Sequence, residues 1–191
     1  WDGENRIWTP EGWEVDMRGE ADRTHSWTPE IPVEGLPAAA DGNYYYAITF
    51  SDKKQDEWLI SPRVKVEEGM SLSFYVYYSP MYLFNLDEEY VDWDKFSFIG
   101  EKVVTATLQV WAQAEGEDWV MLHDFADDYT DATLMDLAYS EPAGLEKKSF
   151  ALTDFAGKNT KVAFRYVGSD GNTMFIDAIG IGFPALNGVS Y

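Results

Sequence analysis

One acidic side chain, that of Asp177, lies in an apolar segment where its charge has to be compensated by a partner. Asp177 lies in a run whose two alternating faces are both apolar, with neighbours Met174, Phe175, Ile176, Ala178, Ile179 and Ile181. A strand with that pattern is usually covered on both sides. A buried carboxylate costs several kcal/mol unless a cation or several hydrogen bonds compensate it. The sequence therefore predicts that Asp177 binds a metal ion or pairs with Arg165.

Whether Arg165 can pair with Asp177 depends on the length of the turn between their two strands. We expect strands at 161–167 and 174–181 to form a hairpin. A loop formed by residues 169–173 places Arg165 opposite Asp177, whereas a loop one residue shorter turns the two side chains to opposite faces. The metal alternative favours Ca²⁺, because this ion takes carboxylate, amide and main-chain oxygens.

A long segment, residues 79–102, separates two clear strands and is the expected insertion. It is rich in aromatic and acidic residues, and we take five of them as candidate ligand-binding residues: Tyr82, Tyr90, Asp92, Trp93 and Asp94. Aromatic rings stack on sugars and carboxylates bind hydroxyl groups, which makes an ordinary binding site. The alternative is that the rings cover the sandwich while the acids face water.

Catalytic signals are weak. The two histidines, His25 and His123, stand in no recognisable nucleophile motif. The acidic pairs within 79–102 match no glycosidase pattern. We therefore expect no enzymatic activity, with a divergent glycoside hydrolase as the less favoured alternative.

Composition excludes several classes of partner. The formal net charge of −20 argues against nucleic acid and anionic lipid as partners. The absence of cysteine excludes disulfides, a thiolate zinc site and a cysteine nucleophile. No apolar run is long enough to insert into a membrane. Because the chain opens at Trp1, we expect a mature or trimmed form.

Period-two alternation indicates the elements that must position these residues. Strands are predicted at 44–50, 57–61, 71–78, 103–112, 119–123, 148–152, 161–167 and 174–181, with Val104, Ala106, Leu108 and Val110 pointing inward. A short helix is predicted over 131–139, capped by Thr130 or Asp131, and one helical turn over 152–157. This pattern predicts an all-β fold, a two-sheet antiparallel β-sandwich of jelly-roll topology, as a single domain over 1–191.

Four blocks, in order, resemble the cleaved-adhesin and choice-of-anchor J domains of Bacteroides-like surface proteins, relatives of the MAM and galactose-binding jelly rolls. The blocks are Trp1-Asp2 with Pro10–Trp13, then 56–62 (DEWLISP), 69–74 (GMSLSF) and the ending that runs through FAGK, VAFR and FIDAI at 155–179. They span nearly the whole chain. The departures are a single acid where the family has a final acidic pair, and two segments, 79–102 and 127–141, without clear counterparts.

The resemblance implies a secreted or cell-surface, non-catalytic module with a structural Ca²⁺ that joins the start of the chain to the last strand. Carried over by position, the metal ligands are Asp2, Asp41 or Asn43, and Asp177. Lipid anchoring through a removed N-terminal segment is one route to the cell surface. We expect a monomer that binds a glycan or an extracellular host or matrix protein; a structural spacer in a larger surface assembly is the alternative.

Overall fold

The computed structural model describes residues 11–184, and nearly all of the regular structure in that range is β. Its strands are β1 Glu14–Met17, β2 Thr28–Glu30, β3 Tyr45–Ile48, β4 Gln55–Ile60, β5 Val64–Lys65, β6 Ser71–Tyr77, β7 Val91–Asp92, β8 Ser97–Phe98, β9 Ala106–Ala114, β10 Val120–Asp124, β11 Glu146–Ala151, β12 Asn159–Gly168 and β13 Met174–Gly182.

Two antiparallel sheets pack face to face. The front sheet has the order β1-β4-β12-β9-β10, with β5 paired to β12, and the back sheet has the order β11-β6-β13-β3-β2. The inner faces of the two sheets meet in one apolar core. The prediction of an all-β, two-sheet antiparallel sandwich is therefore confirmed.

Alternating side chains explain how the strands face the core. In β6, Leu72, Phe74 and Val76 are buried, while the residues between them are half-exposed. Strand β9 buries its inward positions in the same way from Ala106 onward. The inward prediction for Val104 is wrong, because this residue precedes the strand and is 48% exposed.

The expected hairpin between 161–167 and 174–181 is wrong. Strand β12 pairs with β4 and β9 in the front sheet, whereas β13 pairs with β3 and β6 in the back sheet. The chain crosses between sheets at Gly168, which has a φ of 137°. A Cβ atom there would lie 2.2 Å from the carbonyl oxygen of Thr105, so only glycine fits the crossing. Arg165 and Asp177 consequently lie on different sheets.

Helical structure is short. The α-helix Leu134–Tyr139, which we name α1, is capped by Thr133, whose hydroxyl accepts the N–H of Asp136 in a capping box, so the predicted caps Thr130 and Asp131 are wrong. The helical turn predicted at 152–157 is a 3₁₀ turn at Thr153–Phe155. Within residues 11–184, no helix is long and apolar enough to cross a membrane.

Residues 79–102 connect β6 in the back sheet to β9 in the front sheet. They form a 3₁₀ turn at Pro80–Leu83 and then the β7–β8 hairpin. The helix α1 contacts both pieces, so the insertion and the 127–141 segment, which had no counterpart in the resemblance, lie together.

Candidate functional site

The outer face of the front sheet carries a layer of indole rings. We name it the tryptophan face, and its apolar stripe consists of Trp58, Ile60, Trp111, Trp119 and Ala163. The ring of Trp58 lies 5.6 Å from that of Trp111 and 5.3 Å from that of Trp119. The middle strand β12 places Arg165 opposite Trp58 and Ala163 opposite Trp111. Trp58 is only 4% exposed, whereas Trp111 and Trp119 present ring surface to solvent.

A polar stripe runs beside the indoles, formed by Asp56, Thr107, Gln109, Asp124 and Arg165. Arg165 donates from Nε to Asp56 Oδ1 at 2.7 Å and from Nη2 to Asp56 Oδ2 at 2.9 Å, a bidentate pair. Its Nη1 donates to Gln109 Oε1 at 3.2 Å. Gln109 Nε2 in turn donates to Asp124 Oδ2 at 2.7 Å. The hydrogen-bonded network is therefore continuous across the sheet.

The two stripes are also joined to each other. The indole N–H of Trp58 donates to Asp56 Oδ1 at 2.7 Å, and that of Trp111 donates to Gln109 Oε1 at 3.1 Å. These bonds orient the rings relative to the polar groups. Both indoles are thus held in place before any ligand arrives, which lowers the entropy cost of binding.

Positive charges lie against the rings. The guanidinium of Arg18 lies 4.3 Å from the Trp58 ring centre, and the ammonium of Lys161 lies 5.2 Å from that of Trp119. Burial opposes the charge of Asp56, but the hydrogen bonds from Arg165 and Trp58 outweigh it and hold the pKa of this carboxyl below its ordinary value. The ion pair therefore stays charged at neutral pH.

The polar stripe retains hydrogen-bonding capacity. A guanidinium has five N–H donors and an amide NH₂ group has two. Within the described residues, Arg165 uses three of its donors and Gln109 uses one. The unused donors lie beside exposed indole surface, an arrangement that suits a ligand with hydroxyl groups on its edge and C–H groups on its face.

Asp177 lies on the other outer face and is half-buried. Its Oδ2 accepts the backbone N–H groups of Ala40 at 2.6 Å and Asp41 at 3.0 Å, and its Oδ1 accepts that of Ala178 at 2.7 Å. The predicted ion pair with Arg165 is wrong, because Arg165 pairs with Asp56 on the opposite sheet. Backbone N–H groups satisfy this carboxylate instead.

The predicted calcium ligands are partly brought together. Backbone N–H groups of the 40–41 segment contact Asp177, but the side chains of Asp41 and Asn43 face solvent, and Asp2 lies outside the described residues. Within residues 11–184, no three His, Cys, Asp or Glu side chains cluster as metal ligands. Ca²⁺ takes six to eight oxygens, which main-chain carbonyls and amide side chains supply as well as carboxylates. The calcium site stays a prediction.

The five predicted ligand-binding residues lie at the 3₁₀ turn and in the β7–β8 hairpin of the insertion. Tyr82, on the 3₁₀ turn, is 49% exposed, and Trp93, in the β7–β8 hairpin, is 44% exposed. Asp92 is engaged by Lys95 at 2.6 Å. Tyr90 is half-buried and Asp94 is exposed in the same hairpin. Their role in binding stays a prediction.

A groove of about 580 Å³ lies at this end of the sandwich. The later part of the insertion and the segment 126–134 line it, including the apolar residues Phe84, Phe98 and Leu134; none of the five predicted residues does. The ammonium of Lys102 lies 5.5 Å from the Phe84 ring and 5.6 Å from the Phe98 ring, and it donates to the carbonyl of Ala132. Desolvation lowers the pKa of Lys102 despite nearby acids.

The tryptophan face was missed by the sequence reasoning, although part of the signal was present. Because Leu108 and Val110 point inward, alternation places Gln109 and Trp111 on the outer face. The step that brings Trp58 next to Trp111 is the order β4-β12-β9, a long-range pairing that local periodicity does not reveal.

Comparison with known proteins identifies the fold. No protein-family model matches the chain, and no curated protein matches it. The solved K1 cleaved adhesin domain of Lys-gingipain from Porphyromonas gingivalis W83 is similar, with a TM-score of 0.57 and 17% identity over 93% of this chain and 94% of that one. The K2 cleaved adhesin domain of Lys-gingipain gives a TM-score of 0.57 with 13% identity over 96% and 95%.

A sugar complex shares the same architecture. The structure of TmCBM61 in complex with beta-1,4-galactotriose gives a TM-score of 0.53 with 10% identity over 91% of this chain and 90% of that one. The chain therefore has the jelly-roll sandwich fold of cleaved adhesin domains and carbohydrate-binding modules. The fold implied by the sequence resemblance is confirmed.

Proposed function

We propose that this chain is a non-catalytic carbohydrate-binding module that works outside the cell, secreted or at the cell surface. The observation that carries the proposal is the tryptophan face, where Trp111 and Trp119 present ring surface beside the unused donors of Arg165 and Gln109. Sugars offer C–H faces to aromatic rings and hydroxyl groups to polar forks. The fold shared with adhesin and carbohydrate-binding domains supports this function.

A glycan array followed by titration tests the proposal. We expect Trp111→Ala and Trp119→Ala each to weaken binding on the order of 10- to 100-fold, because each removes a stacking surface. Trp93→Ala is the matched control, since it removes an exposed indole from the insertion instead. Normal binding by both tryptophan-face variants, with loss in Trp93→Ala, would move the site to the insertion.

The groove supports a second candidate, the binding of a glycan or an extracellular protein near the insertion. Its volume of about 580 Å³ and mixed lining are typical of ligand sites. In this case a variant such as Phe98→Ala should lose the ligand while Trp111→Ala keeps it. A chain that binds neither glycan nor protein would instead act as a spacer.

A structural calcium ion at Asp177 remains part of the proposal and rests on the sequence resemblance. It is supported by the contact between the 40–41 segment and Asp177. The ion would add stability without taking part in sugar recognition, because Asp177 lies on the back sheet and the tryptophan face on the front sheet.

A further inference from the structure

Two cationic side chains meet at one end of the tryptophan face, which we name the Gln113 end. Lys161 lies two residues before Ala163 on the outer side of β12, and it stands opposite Gln113 of β9. Side chains that face each other in this way have Cβ atoms about 5 Å apart. Arg63 reaches the same glutamine, because its Nη1 donates to the main-chain oxygen of Gln113 at 3.3 Å and its Nη2 donates to Oε1 at 3.4 Å. Both positive charges therefore lie beside Gln113.

An indole ring completes the Gln113 end. Trp119 is half-exposed, and the ammonium of Lys161 lies 5.2 Å from its ring centre. The ring of Trp119 also packs against that of Trp58 at 5.3 Å, which holds it against the sheet. A sugar ring that stacks on Trp119 would therefore have an ammonium group within reach of its substituents.

These two cations differ from the other two on the face. Arg18 and Arg165 each form a salt bridge with an aspartate. Within residues 11–184, neither Arg63 nor Lys161 forms a salt bridge. A guanidinium has five N–H donors, and Arg63 uses two of them on Gln113. Three N–H groups of Arg63 and the ammonium of Lys161 thus remain for an acceptor.

The acidic composition of the chain does not prevent an anion from binding here. The neighbouring turn 115–118 carries three acids, and the ammonium of Lys158 pairs with one of them, Glu117, at 2.8 Å. Counted with Lys158, the two cations at Gln113 balance the three acids of this turn. Salt at roughly 0.1 M screens charges beyond about 10 Å. The short-range contacts with Arg63 and Lys161 therefore decide whether an anion binds.

We infer that the sugar bound at the Gln113 end of the tryptophan face carries an anionic group, either a carboxylate or a sulfate ester. The sugar ring stacks on Trp119, and its anionic group accepts hydrogen bonds from Lys161 and Arg63. Hydrogen bonds between charged groups are stronger than neutral ones, and a neutral sugar would supply no counter-charge to either cation. The inference rests on the proposed carbohydrate-binding function and adds the chemical class of the ligand.

A comparison of charged and neutralised glycans tests the inference. The array would carry glycans with uronic acids, sialic acids and sulfate esters beside neutral ones. The acidic glycan that binds best is then titrated by calorimetry before and after neutralisation. Methyl esterification neutralises a carboxylate and desulfation removes a sulfate ester, so the two treatments also distinguish the two groups. We expect neutralisation to weaken binding at least about tenfold, and roughly 0.5 M salt to weaken binding of the acidic glycan only.

Variants that each remove one charge locate the anion. Lys161→Gln and Arg63→Gln should each weaken the acidic glycan several-fold and leave its neutral derivative unchanged, because each removes a charged donor. Lys147→Gln is the matched control, since it removes the same charge from the back sheet, where the ammonium of Lys147 lies 6.0 Å from the Tyr75 ring. Equal losses in all three variants would show that net charge governs the affinity and would overturn the inference.

The remaining outcomes separate the inference from its premise. Equal binding of the acidic glycan and its neutral derivative, or an array on which only neutral glycans bind, would overturn the anionic class and leave the carbohydrate-binding function standing. Full binding of the acidic glycan by Lys161→Gln and by Arg63→Gln would overturn it as well. Failure of every glycan to bind would overturn the proposed function itself.

Discussion

The two outer faces of the sandwich each carry an aromatic cluster, and the two clusters differ in exposure. On the back sheet, Tyr45 and Phe175 are 1% and 2% exposed, and Tyr77 and Ala39 pack against them; we name this the tyrosine face. On the front sheet, Trp111 and Trp119 remain partly exposed. The difference lies in the covering segment, residues 39–41, which folds over the tyrosine face.

One carboxylate lies on each face, and the groups that donate hydrogen bonds to it differ between the two faces. Asp177 accepts backbone N–H groups of the covering segment and so anchors a loop over the tyrosine face. Asp56 accepts the side chains of Arg165 and Trp58 and so orients groups that remain available to a ligand. The tyrosine face is therefore covered by a loop, whereas the tryptophan face, for which we propose sugar binding, stays partly open.

The largest expected effect is a loss of stability on the tyrosine face. Asp177→Ala removes the acceptor of three backbone N–H groups, and we expect the free energy of unfolding to fall by about 3 kcal/mol. Sugar binding should be unchanged. Asp41→Ala is the control, because the exposed Asp41 side chain is removed while its N–H remains. Equal denaturation midpoints for the two variants would contradict the anchoring role.

A smaller loss of stability is expected on the tryptophan face. Arg165→Met leaves Asp56 without its bidentate partner, and because this pair is partly exposed we expect a loss of only about 1–2 kcal/mol. We also expect sugar affinity to fall, by more than the loss of stability alone would cause, because the guanidinium N–H donors of the polar stripe are gone. Arg165→Lys, which keeps the charge and loses the fork, tests whether geometry or charge matters. Full binding by Arg165→Met would contradict the role of the polar stripe.

The calcium prediction concerns only the tyrosine face. Extracellular calcium modules bind with dissociation constants of about 10⁻⁴–10⁻³ M, so a chelator should lower stability by about 1 kcal/mol relative to millimolar calcium. The measurement is the melting temperature with chelator and after calcium is restored. Asp177→Ala should no longer respond. An unchanged curve in the wild type would leave the backbone N–H groups as the partners that satisfy Asp177.

The alternation of apolar and polar residues predicted most of the strands but not which strands lie next to each other in a sheet. Alternation correctly assigned Ala106, Leu108 and Val110 to the inward face of β9, and the segments predicted as strands at 103–112 and 119–123 largely coincide with β9 and β10. The same reasoning paired 161–167 with 174–181, because strands that are consecutive in sequence usually pair. Here the chain crosses to the other sheet at Gly168, so the partners of Arg165 and Asp177 depended on a topology that spacing does not encode.

The smallest expected effect distinguishes two neighbours on β4. Asp56 faces the tryptophan face, whereas Glu57 points into the core, fully buried, with no hydrogen-bond partner for its carboxylate among the described residues. Burial raises the pKa of Glu57, whereas the pKa of Asp56 is lowered. The two groups should therefore change stability with pH in opposite directions.

For Glu57, the folded protein keeps a proton that the unfolded chain releases. Stability is then lost as pH rises from the ordinary value of 4.5 through the raised pKa. Glu57→Gln lacks this titration, so its free energy of unfolding should exceed that of the wild type at pH 7, with the gap closing as pH falls below the ordinary value of 4.5. For Asp56→Asn the loss relative to the wild type should be present above the ordinary carboxyl pKa and shrink as pH falls through the lowered value. Denaturation from pH 3 to 8 measures both, and parallel curves for Glu57→Gln and the wild type would contradict the assignment.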